Sequence, residues 1–140
     1  MGWATTSYLS VVPCAAGTGT VPSVNFGAQR GPDGAFLGVG GRPAAVKTAV
    51  AYTLTRLGTD HADIYRLARL DPDVPIEDSV GTIADLGQAG PVQASGLLGV
   101  GADSIRRAHA VHAISDVQIE YSLVSRGVEE ETLSTCRELA

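Results

Sequence analysis

Residues 65–78 read YRLARLDPDVPIED. Tyr65 to Ala68 close an apolar run, Asp71 to Asp73 make a sharp polar turn, and Pro75 to Asp78 begin a helix. The stretch is therefore a strand, a loop and a helix start in close succession, the signature of a parallel α/β fold. Ala68 stands where the strand ends and the loop begins. In α/β barrels that position usually carries the chemistry, yet a methyl group offers no donor, acceptor or charge.

Working outward, ADIYRLA (62–68) is the strand itself. Before it, RPAAVKTAVAYTLTRLG (42–58) reads as a helix. Pro43 suits its first turn, Val46, Val50, Leu54 and Leu57 form one apolar stripe, and Gly58 stops it. VPSVNFG (21–27) reads as a buried strand, and RGPDGAFLGVGGR (30–42) as a glycine-rich connector full of turn signals. After the quoted stretch, residues 75–89 form a second helix ended by Gly90, and VQASGLLGV (92–100) a third strand. Asp103 to His112 is a helix with Ile105, Ala108 and His112 on one side. DVQIEYSL (116–123) is a fourth strand. Glu129, Glu130 and Glu131 open a last helix, where negative charge favours the dipole, and Leu133, Cys136 and Leu139 give it an apolar face. Residues 1–20 have no clear period, although SYLSVV (7–12) reads as a short strand and GTGT (17–20) as a loop.

Strands alternating with helices imply parallel pairing and right-handed crossovers. The expected architecture is α/β: a partial (β/α) barrel, half of a TIM barrel, built from about four parallel strand–helix units over residues 21–140. Residues 1–20 form a poorly defined N-terminal segment. A closed eight-stranded barrel typically needs roughly 250 residues. A half barrel exposes strand edges and an apolar inner face, so a homodimer or higher oligomer is expected.

The chain has 140 residues, 44% of them apolar, and a net charge of −5. That composition supports one compact domain with a real core and excludes disorder. The acidic balance, with no basic cluster, argues against a nucleic-acid partner. No apolar run is long enough to span a bilayer, and no signal-peptide pattern opens the chain. Cys14 and Cys136 lie far apart and suit a reducing cytoplasm better than a disulfide scaffold. MGWATT matches a loose myristoylation pattern through Gly2 and Thr6.

Several stretches together carry a resemblance: RGPDGAFLG (30–38), LTRLGTDHADIY (54–65), RLDPDVPIEDSVG (69–81), IRRAHAVH (105–112), VQIEYSL (117–123) and EEETLSTCREL (129–139). They resemble the aldo-keto reductases, in particular the bacterial branch with RxDPxVPIEETVG and QxEYSLWSR signatures. The match covers about residues 21–140. The resemblance implies the middle of a (β/α)₈ barrel, from the third strand to the helix after the sixth, and NADPH-dependent carbonyl reduction. The family's catalytic Asp and Tyr fall in a region this chain does not resemble, and its cofactor-phosphate grip falls beyond Ala140.

The resemblance also explains why Ala68 is odd. The family pattern YxxHR places a carbonyl-polarising His there. Its TKFG run places a Lys that tunes the catalytic tyrosine at the position of Asn25. Its GLS run, followed by Asn or Glu, places nicotinamide-binding groups at Leu98 and Gly99. Gln118 matches a nicotinamide-contacting glutamine. Hydride transfer needs a positioned proton donor and a held nicotinamide. Asn25, Ala68, Leu98 and Gly99 supply little of either, so no bound cofactor is expected, NADPH included.

Other residues have plainer readings. GVGADS (99–104) resembles a dinucleotide loop but lacks the third glycine. His109 and His112, with Asp116, have metal-ligand types but read as scaffold, so no metal is expected. Asp71, Asp73, Glu77 and Asp78 read as a capping loop, and Cys136 as a core thiol. Strand alternation puts Arg66 on the face of Ala68, and Asp116, Gln118 and Glu120 on one face. Arg66 is thus expected to pair with Glu120 or Asp116 across the lumen.

Three functions fit these residues. The favoured one is an aldo-keto reductase relative that has lost reduction and serves as a non-redox small-molecule enzyme, of cyclisation or isomerisation type, or as a binding protein. The others are an inactive fragment, and an NADPH-dependent reductase completed by a partner chain. In the favoured reading, Glu120 and Arg66 are the catalytic candidates. Asn25, Ala68, Leu98, Gly99, Gln118 and Tyr121 line a pocket for a neutral, largely apolar ligand. Alternation turns Tyr121 away from the other residues.

Overall fold

The computed structural model describes residues 9–13 and 20–140. Gly2, Thr6, Cys14 and the GTGT stretch up to Gly19 lie outside the described residues. Among the described residues there are seven strands: β1 (Leu9–Pro13), β2 (Thr20–Phe26), β3 (Ala28–Arg30), β4 (Phe36–Val39), β5 (Ala62–Leu67), β6 (Val92–Leu98) and β7 (Ile114–Gln118). The helices are α1 (Pro43–Leu57), α2 (Ile76–Ala89), α3 (Ala102–Val111) and α4 (Thr132–Leu139).

The main sheet has the order β1-β2-β5-β6-β7. The β2–β5, β5–β6 and β6–β7 pairs are all parallel. Four consecutive parallel neighbours, each followed by a helix, make the expected partial barrel. β1 overlaps the short strand expected in SYLSVV and pairs antiparallel on the outer side of β2, a pairing that the alternation did not foresee.

Residues that alternate along the strands decide which face meets the helices. Val24, Phe26, Tyr65, Leu67 and Leu97 are buried against Val46 and Val50 of α1, Ile76, Val80 and Ile83 of α2, and Ile105 and Ala108 of α3. Phe26 and Tyr65 stack with ring centroids 4.1 Å apart and planes 4° apart. The opposite, lumen face carries Ser23, Asn25, Ile64, Arg66, Ala94 and Gly96. α1 ends at Gly58 and α2 at Gly90, both with positive φ, and each glycine N–H caps its own helix.

Three expected segments are corrected. The glycine-rich connector contains an antiparallel hairpin, β3–β4, in which Gly31 and Ala35 close the turn and Asp33 Oδ1 accepts the Ala35 N–H. Its residues are mostly exposed, so no apolar alternation marks it as strand. The fourth parallel strand runs over 114–118 rather than 116–123. The glutamate run precedes the final helix, which begins at Thr132 after a 3₁₀ turn at Gly127–Glu129.

The Tyr65 hydroxyl is buried and has no hydrogen-bond partner among the described residues. Burial pushes its pKa above that of a free phenol. The unfolded chain loses this proton near pH 10 while the folded chain keeps it. Above that pH the folded state binds more protons, so stability should fall by about 1.4 kcal/mol per pH unit. Tyr65→Phe should abolish that slope and leave neutral-pH stability within about 1 kcal/mol of wild type, because no hydrogen bond is lost. Urea titrations at pH 8 to 11.5 check both outcomes.

Candidate functional site

The register brings Asn25 beside Arg66, Arg66 beside Gly96, and Gly96 beside Asp116. These four positions form one row across the lumen face of β2, β5, β6 and β7. A one-residue register shift between Ser95 and Gly96 is what lines up Asp116. The extra residue, Ser115, lets Ile114 and Val117 both pack on the helix side while Asp116 faces the lumen.

Arg66 is 3% exposed. Its guanidinium reaches across β6 so that Nε donates to Asp116 Oδ1. Gly96 is the residue it crosses. A Cβ on Gly96 would lie 2.6 Å from Arg66 Cγ, and 3.2 Å from both the carbonyl oxygen and Oδ1 of Asp116. Glycine is therefore required by the side chain above it. Gly96→Ala should cost about 1–3 kcal/mol by overpacking, read as a lower urea midpoint at unchanged m-value.

Arg66 thus pairs with Asp116, one of its two expected partners. Glu120 is not in the row. β7 ends at Gln118, and Glu120 is exposed in the loop that follows. The placement of Glu120 on a lumen-facing strand is corrected accordingly. Tyr121 is also exposed; its hydroxyl donates to Glu129, which Arg126 grips in turn. Arg126 and Tyr121 hold the Glu129 carboxyl below the usual range, and Glu129 raises the Tyr121 hydroxyl.

The upper rim holds the other candidates. The Ala68 N–H donates to the Phe26 carbonyl at 2.8 Å, leaving a half-buried methyl at the strand end. Leu98 pairs with Gln118 in the β6–β7 register. Gly99 has φ 65°, and its N–H donates to the Gln118 carbonyl at 2.9 Å. The Gly99 amide is thus consumed inside the sheet rather than offered to a ligand. Of the positions the resemblance assigns to the nicotinamide, only Gln118 bears a side-chain amide.

Two features escaped the reading of the sequence: Ser23 beside the candidates Asn25 and Arg66, and a clamp between loops. Ser23 Oγ, Asn25 Oδ1 and Arg66 Nη1 are all buried without a partner among the described residues. Ser23 shares the face of Asn25 by simple alternation, a signal present in VPSVNFG. The second is a clamp between loops. Asp71 Oδ2 accepts the Gly41 N–H at 3.0 Å, and Ser79 Oγ donates to the Gly41 carbonyl at 2.7 Å. The Gly41 N–H and that of Asp73, which donates to Asp71 Oδ1, lower the Asp71 pKa. The acidic turn therefore ties the Gly41 loop down rather than capping α2, whose N-terminus has no side-chain cap hydrogen bond. His109 Nδ1 accepts the Ile114 N–H, again a structural contact. Among the described residues no three His, Cys, Asp or Glu side chains converge as metal ligands, and no helix is long and apolar enough to cross a membrane.

Comparison with known proteins places this geometry. The model of the aldo/keto reductase family matches residues 29–139. A probable aldo-keto reductase of Glycine max is 43% identical over 119 residues, covering 84% of this chain and 34% of that protein. Among solved structures, a glycerol dehydrogenase from Gluconobacter oxydans superposes with TM-score 0.79 at 20% identity, over 84% of this chain and 37% of that one. The holo form of an aldo-keto reductase from Bacillus halodurans superposes with TM-score 0.64 at 26% identity, over 72% and 35%. The chain spans about a third of the length of these relatives.

Proposed function

The chain belongs to the aldo/keto reductase family, and from that premise we propose that it is a non-redox, small-molecule-binding member that has lost NADPH-dependent carbonyl reduction. One observation carries this reading. The positions that the family pattern gives to a lysine, a histidine and the nicotinamide-holding groups are Asn25, Ala68, Leu98 and Gly99, while the parallel strands that carry them are formed. Asn25 cannot depress a tyrosine pKa as a cation does, and Ala68 has no proton to offer.

The ligand is small and neutral, and it binds at the C-terminal ends of the parallel strands. Arg66 is already neutralised by Asp116, so the lumen row carries no free charge. Phe36 and Leu37 of the β3–β4 hairpin and Leu123 and Val124 of the loop after β7 are exposed. Both segments follow the C-terminal ends of parallel strands and would supply apolar contact. Proton transfer by Glu120 is the catalytic version of this proposal and needs ligand binding to bury that carboxylate. Turnover surviving Glu120→Gln would remove the residue from any mechanism. The open edge of β7 favours assembly as a homodimer, for which light scattering at low concentration is the test.

Cofactor fluorescence titration tests the central proposal. The expected result is no micromolar NADPH binding by the chain; saturable binding in that range would overturn it.

A further inference from the structure

We propose that β7 pairs antiparallel with β7 of a second copy about a two-fold axis, and that α4 of each copy packs, charge-matched, against α4 of the other. The inference deepens the homodimer reading above, on which it rests, by naming the surface and the residues that close it. The main sheet ends at β7, which has β6 on one side and no strand on the other. Such an edge offers unpaired N–H and C=O groups as a template for another strand. The Gln118 carbonyl accepts the Gly99 N–H on the β6 side. Backbone groups alternate in direction along a strand, so those of Val117 point to the open edge. A cleft of about 190 Å³ lies at this edge, between β7 and the helices behind it. Ile114 and Val117 of β7 and Cys136 and Leu139 of α4 line it, all of them only half-buried.

Charge and symmetry argue for a second copy as the occupant. A two-fold axis normal to the sheet keeps the helix sides of both copies together, so the incoming strand brings its own Ile114 and Val117 to the cleft side. On the lumen side Asp116 is already neutralised by Arg66, so the two edges meet without the repulsion of facing carboxylates. Arg137 stands in the last turn of α4, and Glu130 and Glu131 stand just before its first. All three are exposed and have no ion-pair partner among the described residues. The axis that makes the strands antiparallel also makes α4 antiparallel to its copy. The basic end of each helix then faces the acidic end of the other, and the surface is complementary to itself. Pairing β7 with the outer edge of β1 in another copy would be head-to-tail and leave free edges that keep growing, whereas the two-fold contact closes at two copies.

Sedimentation equilibrium of the full chain is the test, with circular dichroism to check that each variant is folded. The wild-type chain should sediment as a dimer. Ser115→Lys puts a charge on an exposed position of the edge strand and should give a folded monomer. Arg137→Glu should weaken the dimer about tenfold, because it turns two symmetry-related attractions into repulsions. The double variant Glu130→Arg with Glu131→Arg should do the same. An equimolar mixture of these two proteins should regain wild-type affinity as a heterodimer, since every reversed charge then meets its opposite. A monomer at all concentrations would overturn this proposal and the homodimer reading together. A dimer that ignores Ser115→Lys, or charge variants that associate no better mixed than alone, would overturn this proposal while leaving a homodimer through another face. Open-ended polymers would assign the edge to head-to-tail pairing and overturn it as well.

Discussion

Incubated with NADPH and a simple aldehyde, the chain is expected to give no reduction above background. On the proposed reading, two independent losses lie behind this expectation. A missing proton-transfer group typically costs about 10²–10⁴-fold in rate, and both positions that would donate or tune a proton, Ala68 and Asn25, lack the capacity. On the same reading the nicotinamide side is weakened separately, since Leu98 is a branched alkyl group and the Gly99 N–H is bound to the Gln118 carbonyl. Restoring Asn25→Lys and Ala68→His should therefore bring no recovery. The lumen row makes the lysine actively unfavourable. It would stand beside Arg66, which is 3% exposed, and Asp116 can neutralise only one of the two cations. Asn25→Lys should thus lower stability as well as fail to restore turnover. Cofactor absorbance under single-turnover conditions, with a urea melt of each variant, measures both. Clear reduction by the wild-type chain would show that catalytic groups sit elsewhere in it.

Asp116→Ala should destabilise the fold by about 2–4 kcal/mol. Removing one partner of a fully buried ion pair typically costs about 3–5 kcal/mol, because the other charge is left stranded. The Arg66 side chain is 4% exposed but that of Asp116 is 28% exposed, so water reaches one side of the pair and tempers the loss. The double variant Arg66→Met with Asp116→Leu should recover most of it, since it strands no charge. Urea denaturation of the two proteins decides the matter. A loss below about 0.5 kcal/mol in Asp116→Ala would mean that Arg66 finds another partner or reaches solvent. A double variant as unstable as the single one would mean that the pair is needed for strand register.

Much of this molecule was legible in one dimension. Tyr65 and Leu67, or Val46 and Val50, announce a strand and a helix because burial on one face imposes periods of 2 and 3.6 on the residues themselves. Pro43, Gly58 and Gly90 mark helix limits because their backbone preferences act locally. The β3–β4 hairpin left no such trace, since both its faces are largely exposed and nothing selects apolar residues in alternation. The end of β7 was equally hidden. IEYSL has the composition of a strand, but a strand persists only while a neighbour pairs with it, and β6 stops at Leu98 opposite Gln118.

The sequence by itself determined the strand–helix alternation, the family pattern, and the identities at its altered positions, Asn25, Ala68, Leu98 and Gly99. It also limited Arg66 to two possible partners. Only the tertiary structure chose between them. The choice rests on a one-residue bulge beside Gly96 and on the absence of a Cβ there, which lets a guanidinium from β5 lie across β6 to reach β7. Asp116 is 50 residues from Arg66 along the chain. Local preferences decay within a few residues, whereas that contact depends on the register of three strands at once.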